Sequence, residues 1–209
     1  MRFVITAGPT RQYIDPVRFI SNASTGRMGY ALTAAAVKAG HEVTLISGPS
    51  ELSAPGGAGL VSVETGPQMF RAVRRYFPGC DCLIMAAAVC DYAPVRKSAV
   101  KIKKGRGPST LKLKPTPDIL AWAGGHKKAG QTVVGFALED TAARKNSERK
   151  LRDKNLDMIV TNAPAAIGAE TAEVEVKIAG GRWARLPKLS KDSIAERIVK
   201  MAETIRNIK

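Results

Sequence analysis

Histidine, cysteine and aromatic residues are scarce in this 209-residue chain, and each shortage removes a class of chemistry. The only histidines are His41, opening a predicted strand, and His126, on an exposed basic turn. Neither supplies the base that a serine or cysteine hydrolase needs, and both read as structural. The three cysteines, Cys80, Cys82 and Cys90, form no C-x-x-C pair and have no histidine beside them, so they read as core thiols rather than zinc ligands. Aromatics make up 5% of the chain, with none between Ala93 and Thr116 to stack on bases. A long apolar run is missing as well. The longest, Cys82 to Cys90, is about half of a membrane span, and no charged-then-apolar N-terminal signal is present. The expectation is a cytoplasmic protein without a membrane partner. No G-x-x-x-x-G-K-[ST] occurs, which excludes a P-loop.

What the chain does have is positive charge. Lys and Arg number 33 against 18 Asp and Glu, a net charge of +15, which draws polyanions by long-range steering. Nucleic acid, acidic membrane and phosphorylated small molecules all qualify by sign. The length suits a single domain over residues 1–209 with a full core.

Arg2 to Ala7 reads as a buried strand ended by Gly8-Pro9. Thr10 to Ser21 shows no sustained period and reads as a long loop at the strand's C-terminal edge, where open α/β sheets bind ligands. The helix expected from Thr25 to Lys38 begins among small residues and glycine. Free backbone N–H groups and the positive end of a helix dipole there make Ile20 to Gly29 an anion site. A strand over His41 to Ser47 completes a βαβ unit. Gly48 to Leu60 is a crossover loop, Val61 to Thr65 a short edge strand, and Pro67 to Tyr76 a helix.

Cys80 to Val89 is apolar on both faces, as a central strand covered by helices on both sides must be. Asp91 follows it directly, either as a site acid or as a turn cap. Between Asp91 and Asp118 there is no acid, yet eight lysines and arginines occur. Ala99 to Lys103 and Thr110 to Lys114 alternate at period two and predict a β-hairpin with one lysine face and one apolar face. That hairpin is either a solvated edge or, the reading its position beside Asp91 favours, a phosphate-gripping flap over about 92–117. Asp118 is the expected N-cap of a helix to Gly125. Strands over Thr132 to Leu138 and Leu156 to Thr161 flank a helix from Thr141 to Lys154, with Lys150 and Lys154 on one face. A hairpin of Glu173 to Ala179 with Trp183 to Leu186 and a closing helix, Lys191 to Ile208, complete the chain. The fold class is α/β: a Rossmann-like, doubly wound, mainly parallel sheet with an inserted basic flap and a C-terminal antiparallel hairpin.

An NAD(P)-dependent oxidoreductase is the reading this architecture first invites. It needs G-x-G-x-x-G straight after the first strand and an acid ending the second. A long loop stands where that turn would be, and the second strand ends Ile46-Ser47-Gly48. A basic nucleic-acid-binding α/β protein remains the other alternative.

Ile5 to Thr10, Ile14 to Asn22, Ser24 to Gly29, Ala86 to Val89 with Asp91-Tyr92, Lys101 to Lys104, Pro117 to Leu120, Gly135 to Ala137, and Lys150-Leu151 with Lys154 and Asp157 together resemble phosphopantothenate–cysteine ligase of the bacterial, CTP-using type. The likeness is collinear as far as about Asn162; beyond it only the layout corresponds. The resemblance implies a ligase of coenzyme A biosynthesis that activates 4'-phosphopantothenate with CTP as an acyl-cytidylate, releases pyrophosphate, and passes the acyl group to L-cysteine. It implies Asn22 and Lys101 as catalytic residues and Arg18, with Asn22, on the substrate side. Ser24, Gly26, Ala88, Asp91, Lys114, Pro115, Thr116, Pro117, Phe136, Lys150 and Lys154 are implied to bind the nucleotide, with Asp91 holding Mg²⁺. The family usually has Asn-Pro-Asp where this chain has Thr116-Pro117-Asp118, and a threonine lacks the amide's donor and acceptor pair. The resemblance further implies a homodimer with the flap reaching across the interface, no flavin on this chain, and a flavin-dependent phosphopantothenoylcysteine decarboxylase as a fused or separate partner.

Overall fold

The computed structural model describes residues 1–208 apart from the side chain of Ala166. Eight strands form one sheet in the order β12-β11-β10-β9-β6-β1-β4-β5. The parallel part consists of β1 (Arg2–Ala7), β4 (Glu42–Ser47), β5 (Ala58–Ser62), β6 (Cys82–Met85), β9 (Thr132–Leu138) and β10 (Met158–Asn162). β11 (Thr171–Ile178) and β12 (Trp183–Ser190) close one edge as the expected antiparallel hairpin. All four residues of β6 are buried, which is why its sequence is apolar without alternation.

Helices cover both faces. On one lie α1 (Arg27–Lys38) and α5 (Lys191–Ile208), whose Leu32, Ala36, Ile194 and Ile198 pack with Phe3, Ile5 and Ile84. On the other lie α2 (Gly66–Tyr76), α3 (Ile119–His126) and α4 (Ala143–Asp153), packing Met69, Val73, Ala123 and Leu151 against Val4, Leu83 and Ile159. Leu32 is wholly excluded from water, so its truncation to alanine costs about 2–5 kcal/mol. All three cysteines are free and buried, and burial pushes the Cys80 thiol up to about 12, as suits core thiols. His41 pairs with Glu203 at 2.6 Å, and His126 stacks on Trp122 with ring centroids 4.5 Å apart. Both are structural, as read.

From β1 the chain winds out to β4 and β5, then returns to β6 and winds the other way through β9 and β10. The switch between β1 and β6 opens a crevice at the strands' C-terminal ends.

Three sequence expectations are corrected. Thr10 to Ser21 is not a structureless loop: β2 (Arg11–Tyr13) and β3 (Phe19–Ser21) pair antiparallel across a turn. Regular structure in the Cys80 to Val89 run stops at Met85; Ala88 then pairs only singly with Pro9, which has no N–H to extend a ladder. The basic excursion is a hairpin only at its root, where β7 (Tyr92–Pro94) pairs β8 (Leu113–Pro115). Val100, 72% exposed, has no second layer to bury it, and alternation without a face to bury does not hold a strand.

Candidate active site

A cleft of about 600 Å³ occupies the crevice at the switch point. Its walls come from the segment between β3 and the start of α1 (Asn22 to Met28), the end of β6 and the segment after it (Met85 to Val89, with Asp91), the approach to α3 (Thr116 to Leu120), and the ends of β9 and β10.

The start of α1 forms one wall. Gly26 holds a left-handed conformation, φ +82°, and a side chain there would come within 3.2 Å of the Gly8 backbone. One turn on, a Cβ on Gly29 would lie 2.4 Å from that of Ala7, so α1 rests directly on β1 because residue 29 has no side chain. No side chain caps this helix and no acid lies in its first turn. Its first N–H groups therefore face the cleft with their positive partial charge uncompensated. Ser24 shapes the approach, its Oγ accepting from the Gly26 N–H at 3.2 Å.

Asn22 leaves β3 and is held against the opposite wall. Its Nδ2 donates to the carbonyls of Ala88 (3.1 Å) and Val89 (3.2 Å). Both amide hydrogens are thereby used, and Oδ1 remains as the acceptor for a ligand. Ala88 contributes to the site through its backbone, its N–H donating to Gly8 and its carbonyl also accepting from Thr10.

Four cations, Arg27, Lys150, Lys154 and Lys191, line the cleft against two acids, Asp91 and Asp118. Lys150 pairs with Glu139 at 2.6 Å, and Lys154 with Asp118 at 2.7 Å. An ammonium has three donors, so each lysine is held in place with donors left for a phosphate. Burial of the Asp118 carboxyl opposes its ionisation, but the bonds from Lys154 and the Ala121 N–H outweigh this and keep its pKa below the ordinary value. The Lys191 pKa is lowered by burial and by Arg27 nearby. Asp91 forms no ion pair among the described residues and is exposed to the cleft.

The cleft thus gathers Asn22, Ser24, Gly26, Ala88, Asp91, Thr116, Pro117, Phe136, Lys150 and Lys154. Outside its lining fall Lys101 on the arm, Lys114 and Pro115 on β8, and Arg18. Arg18 is engaged by the buried Asp15 and by the carbonyl of Ile102 at 2.7 Å. Thr116 spends its hydroxyl on the Cys90 carbonyl, 2.6 Å away. Sequence reasoning missed Arg27 and Lys191 as cleft cations. Arg27 lies inside the Ile20 to Gly29 stretch and was legible from it, whereas Lys191 arrives only through the packing of α5 beside α1.

The acid that a dinucleotide site requires at the end of β4 is absent. Ser47 stands there, buried and bonded to the Tyr30 hydroxyl at 3.0 Å.

Residues 1–205 match the family described as the DNA/pantothenate metabolism flavoprotein C-terminal domain. The chain is 44% identical over 201 residues to the coenzyme A biosynthesis bifunctional protein CoaBC of Bacillus subtilis, covering 94% of this chain and 49% of that protein. It is 41% identical over 209 residues to a cysteine/cysteine sulfinic acid decarboxylase of an unknown prokaryotic organism, covering 98% and 58%. The chain therefore spans about half the length of the curated relatives it matches. Among solved structures, the C-terminal domain of a CoaBC protein superposes with a TM-score of 0.87 at 38% identity, covering 100% of this chain and 96% of that one.

Proposed function

Because this chain belongs to the family of DNA/pantothenate metabolism flavoprotein C-terminal domains, we propose that its cleft joins 4'-phosphopantothenate to L-cysteine through an acyl-cytidylate made from CTP. The observation that carries this reading is the meeting, in one cleft, of an uncapped helix start, two lysines and a neutral amide. Such a set serves a polyanionic nucleotide and an acyl transfer.

In this mechanism the α1 N–H groups, Ser24, Lys150 and Lys154 bind the triphosphate. Fixed donors then stabilise the charge that grows on pyrophosphate as the substrate carboxylate attacks the α-phosphorus. Asn22 faces the acyl intermediate. Its Oδ1 accepts from the cysteine amine and orients the nitrogen lone pair toward the acyl carbon, and as an amide it does not compete as a nucleophile. Lys101, carried by the arm, neutralises the acyl oxygen and the departing CMP phosphate. Asp91 would hold Mg²⁺. A single exposed carboxylate suits an ion that keeps its waters and takes its other ligands from phosphates, and the described residues contain no cluster of three or more His, Cys, Asp or Glu. When bound, that ion neutralises triphosphate charge.

Exposed Val17, Phe19, Val100, Ile102, Leu111 and Leu113 lie on the β2–β3 hairpin and the arm, and they support a homodimer formed through this side. Relatives that are bifunctional and about twice as long support a flavin-dependent decarboxylase as the fused or separate partner. Three free thiols suit a reducing, cytoplasmic setting; no helix among the described residues is long and apolar enough to cross a membrane.

The test is pyrophosphate release that requires both CTP and 4'-phosphopantothenate, with product formed only when cysteine is added. Folded protein with Mg²⁺ that turns over none of CTP, ATP, UTP and GTP overturns the reading.

A further inference from the structure

Asp15 is a carboxylate with no exposed surface, lodged in the turn between β2 and β3. One oxygen accepts from the N–H groups of Val17 (2.9 Å) and Arg18 (2.8 Å). The other accepts from the Arg18 guanidinium and from the N–H of Ile102, 3.1 Å away. Arg18 in turn donates to the Ile102 carbonyl at 2.7 Å. One ion pair therefore grips both backbone polar groups of the residue next to Lys101. Two more contacts dock the arm on the same turn: the Ser98 N–H donates to the Ile14 carbonyl at 2.8 Å, and Lys97 lies 5.0 Å over the Tyr13 ring. At its other end the hairpin finishes at Ser21, and the next residue is Asn22, pinned to Ala88 and Val89.

We propose that the β2–β3 hairpin is a bracket fixing Lys101 relative to Asn22, with Asp15 as the positioning residue that closes it. The two residues are far apart in sequence, and the arm between Pro94 and Leu113 has no ladder to stiffen it. Without an anchor the lysine would be free to sample many positions. A buried charge with five backbone and side-chain N–H donors is a costly device to keep in a turn, and its geometry is spent on Ile102. The catalytic part of this inference rests on the ligase reading above; the mechanical part does not.

The experiment uses the full chain and pairs two readouts. Limited trypsin digestion reports cleavage at Lys101, Lys103 and Lys104. Asp15→Asn is expected to speed it about tenfold or more, since local opening sets the cleavage rate. Steady-state kinetics with CTP, 4'-phosphopantothenate and cysteine should show kcat falling roughly tenfold to a hundredfold, as for a displaced reacting group, with KM for CTP within about twofold. The loss should vanish in a Lys101→Gln background, the double variant being no worse than Lys101→Gln alone. Unchanged digestion, or losses that multiply independently, overturn the bracket. If Asp15→Asn does not fold by circular dichroism, Arg18→Gln, at a half-exposed position, breaks the Ile102 carbonyl bond, and its digestion rate alone is read, because the resemblance also puts Arg18 on the substrate side. A wild-type chain without ligase activity defeats the functional reading, and digestion alone then decides the bracket.

Discussion

Lys154 reaches Asp118 at 2.7 Å, while the other oxygen of the same carboxylate caps α3 by accepting from the Ala121 N–H at 2.9 Å. One acid thus ties the last turn of α4 to the first turn of α3 across the cleft lining. Its two roles separate by mutation. Asp118→Ala loses the cap, worth about 1 kcal/mol, and should lower the thermal midpoint by about 2–4 °C. Lys154→Ala leaves the cap and removes a half-exposed pair worth about 0–1 kcal/mol, so the midpoint should hold while the stabilisation by CTP with Mg²⁺ shrinks. Thermal unfolding with and without nucleotide distinguishes the two, and equal behaviour would show that Lys154 has no part in nucleotide binding.

Gly26 should tolerate no side chain. Alanine at φ +82° costs about 1–3 kcal/mol in backbone strain, and its Cβ would press on Gly8, 3.2 Å away. Both effects move the start of α1, so Gly26→Ala should lower the midpoint and weaken CTP binding together. Isothermal titration checks the second; an unchanged affinity would detach the helix start from the phosphate.

Much of this was legible in the sequence. Strands such as Thr132–Leu138 and the helix Lys191–Ile208 follow from composition and period because burial alone decides them. Asp118 announced its cap. The β2–β3 hairpin was hidden for a physical reason: its strands are three residues long and its buried acid, Asp15, is held by hydrogen bonds that no hydrophobic pattern records. The arm misled in the opposite direction, since Ala99 to Lys103 alternates like a strand but has no layer to lie against. Residues of the cleft that come from chain turns near β1 and β6 could be named in advance, whereas Lys191 depended on the placement of the final helix.

Asp15 also predicts a pH dependence. The Arg18 guanidinium, aided by the N–H groups of Val17, Arg18 and Ile102, holds its carboxyl well below the usual carboxylate range despite burial. A depressed folded-state pKa contributes stability that is fully present above the unfolded value of about 3.9 and is lost as pH falls toward the folded one. The difference in thermal midpoint between wild type and Asp15→Asn should therefore stay level from neutral pH to about pH 4 and narrow below it. A difference that already narrows near pH 6 would show that the pair is not what holds the turn.

Asn22→Asp would set a carboxylate oxygen against the carbonyls of Ala88 and Val89, which now accept from Nδ2 at 3.1 and 3.2 Å. Repulsion would turn the side chain away, and in the proposed reaction the anion would face an acyl-cytidylate that is itself anionic. Pyrophosphate release should persist while product formation falls by about 10² or more, the scale of losing a positioned polar group. An acyl-nucleotide should then accumulate and be seen by mass spectrometry. Full product turnover would remove Asn22 from the second half-reaction.

Thr116 raises the question of how the base is chosen. Its hydroxyl donates to the Cys90 carbonyl at 2.6 Å and its N–H to the Asp91 carbonyl at 2.8 Å, so both donors hold the loop that presents Asp91. The hydroxyl's one donor is committed in this way, and only the lone pairs of its oxygen are left to face a base. Thr116→Val keeps the shape and deletes the hydroxyl, leaving the Cys90 carbonyl short of a partner at a cost of about 1–3 kcal/mol. If the hydroxyl is structural, the variant should raise KM for CTP and UTP by the same factor and leave their ratio unchanged. Competition between the two nucleotides in one reaction measures that ratio directly, and a shift of tenfold or more, about 1.4 kcal/mol, would return Thr116 to the base.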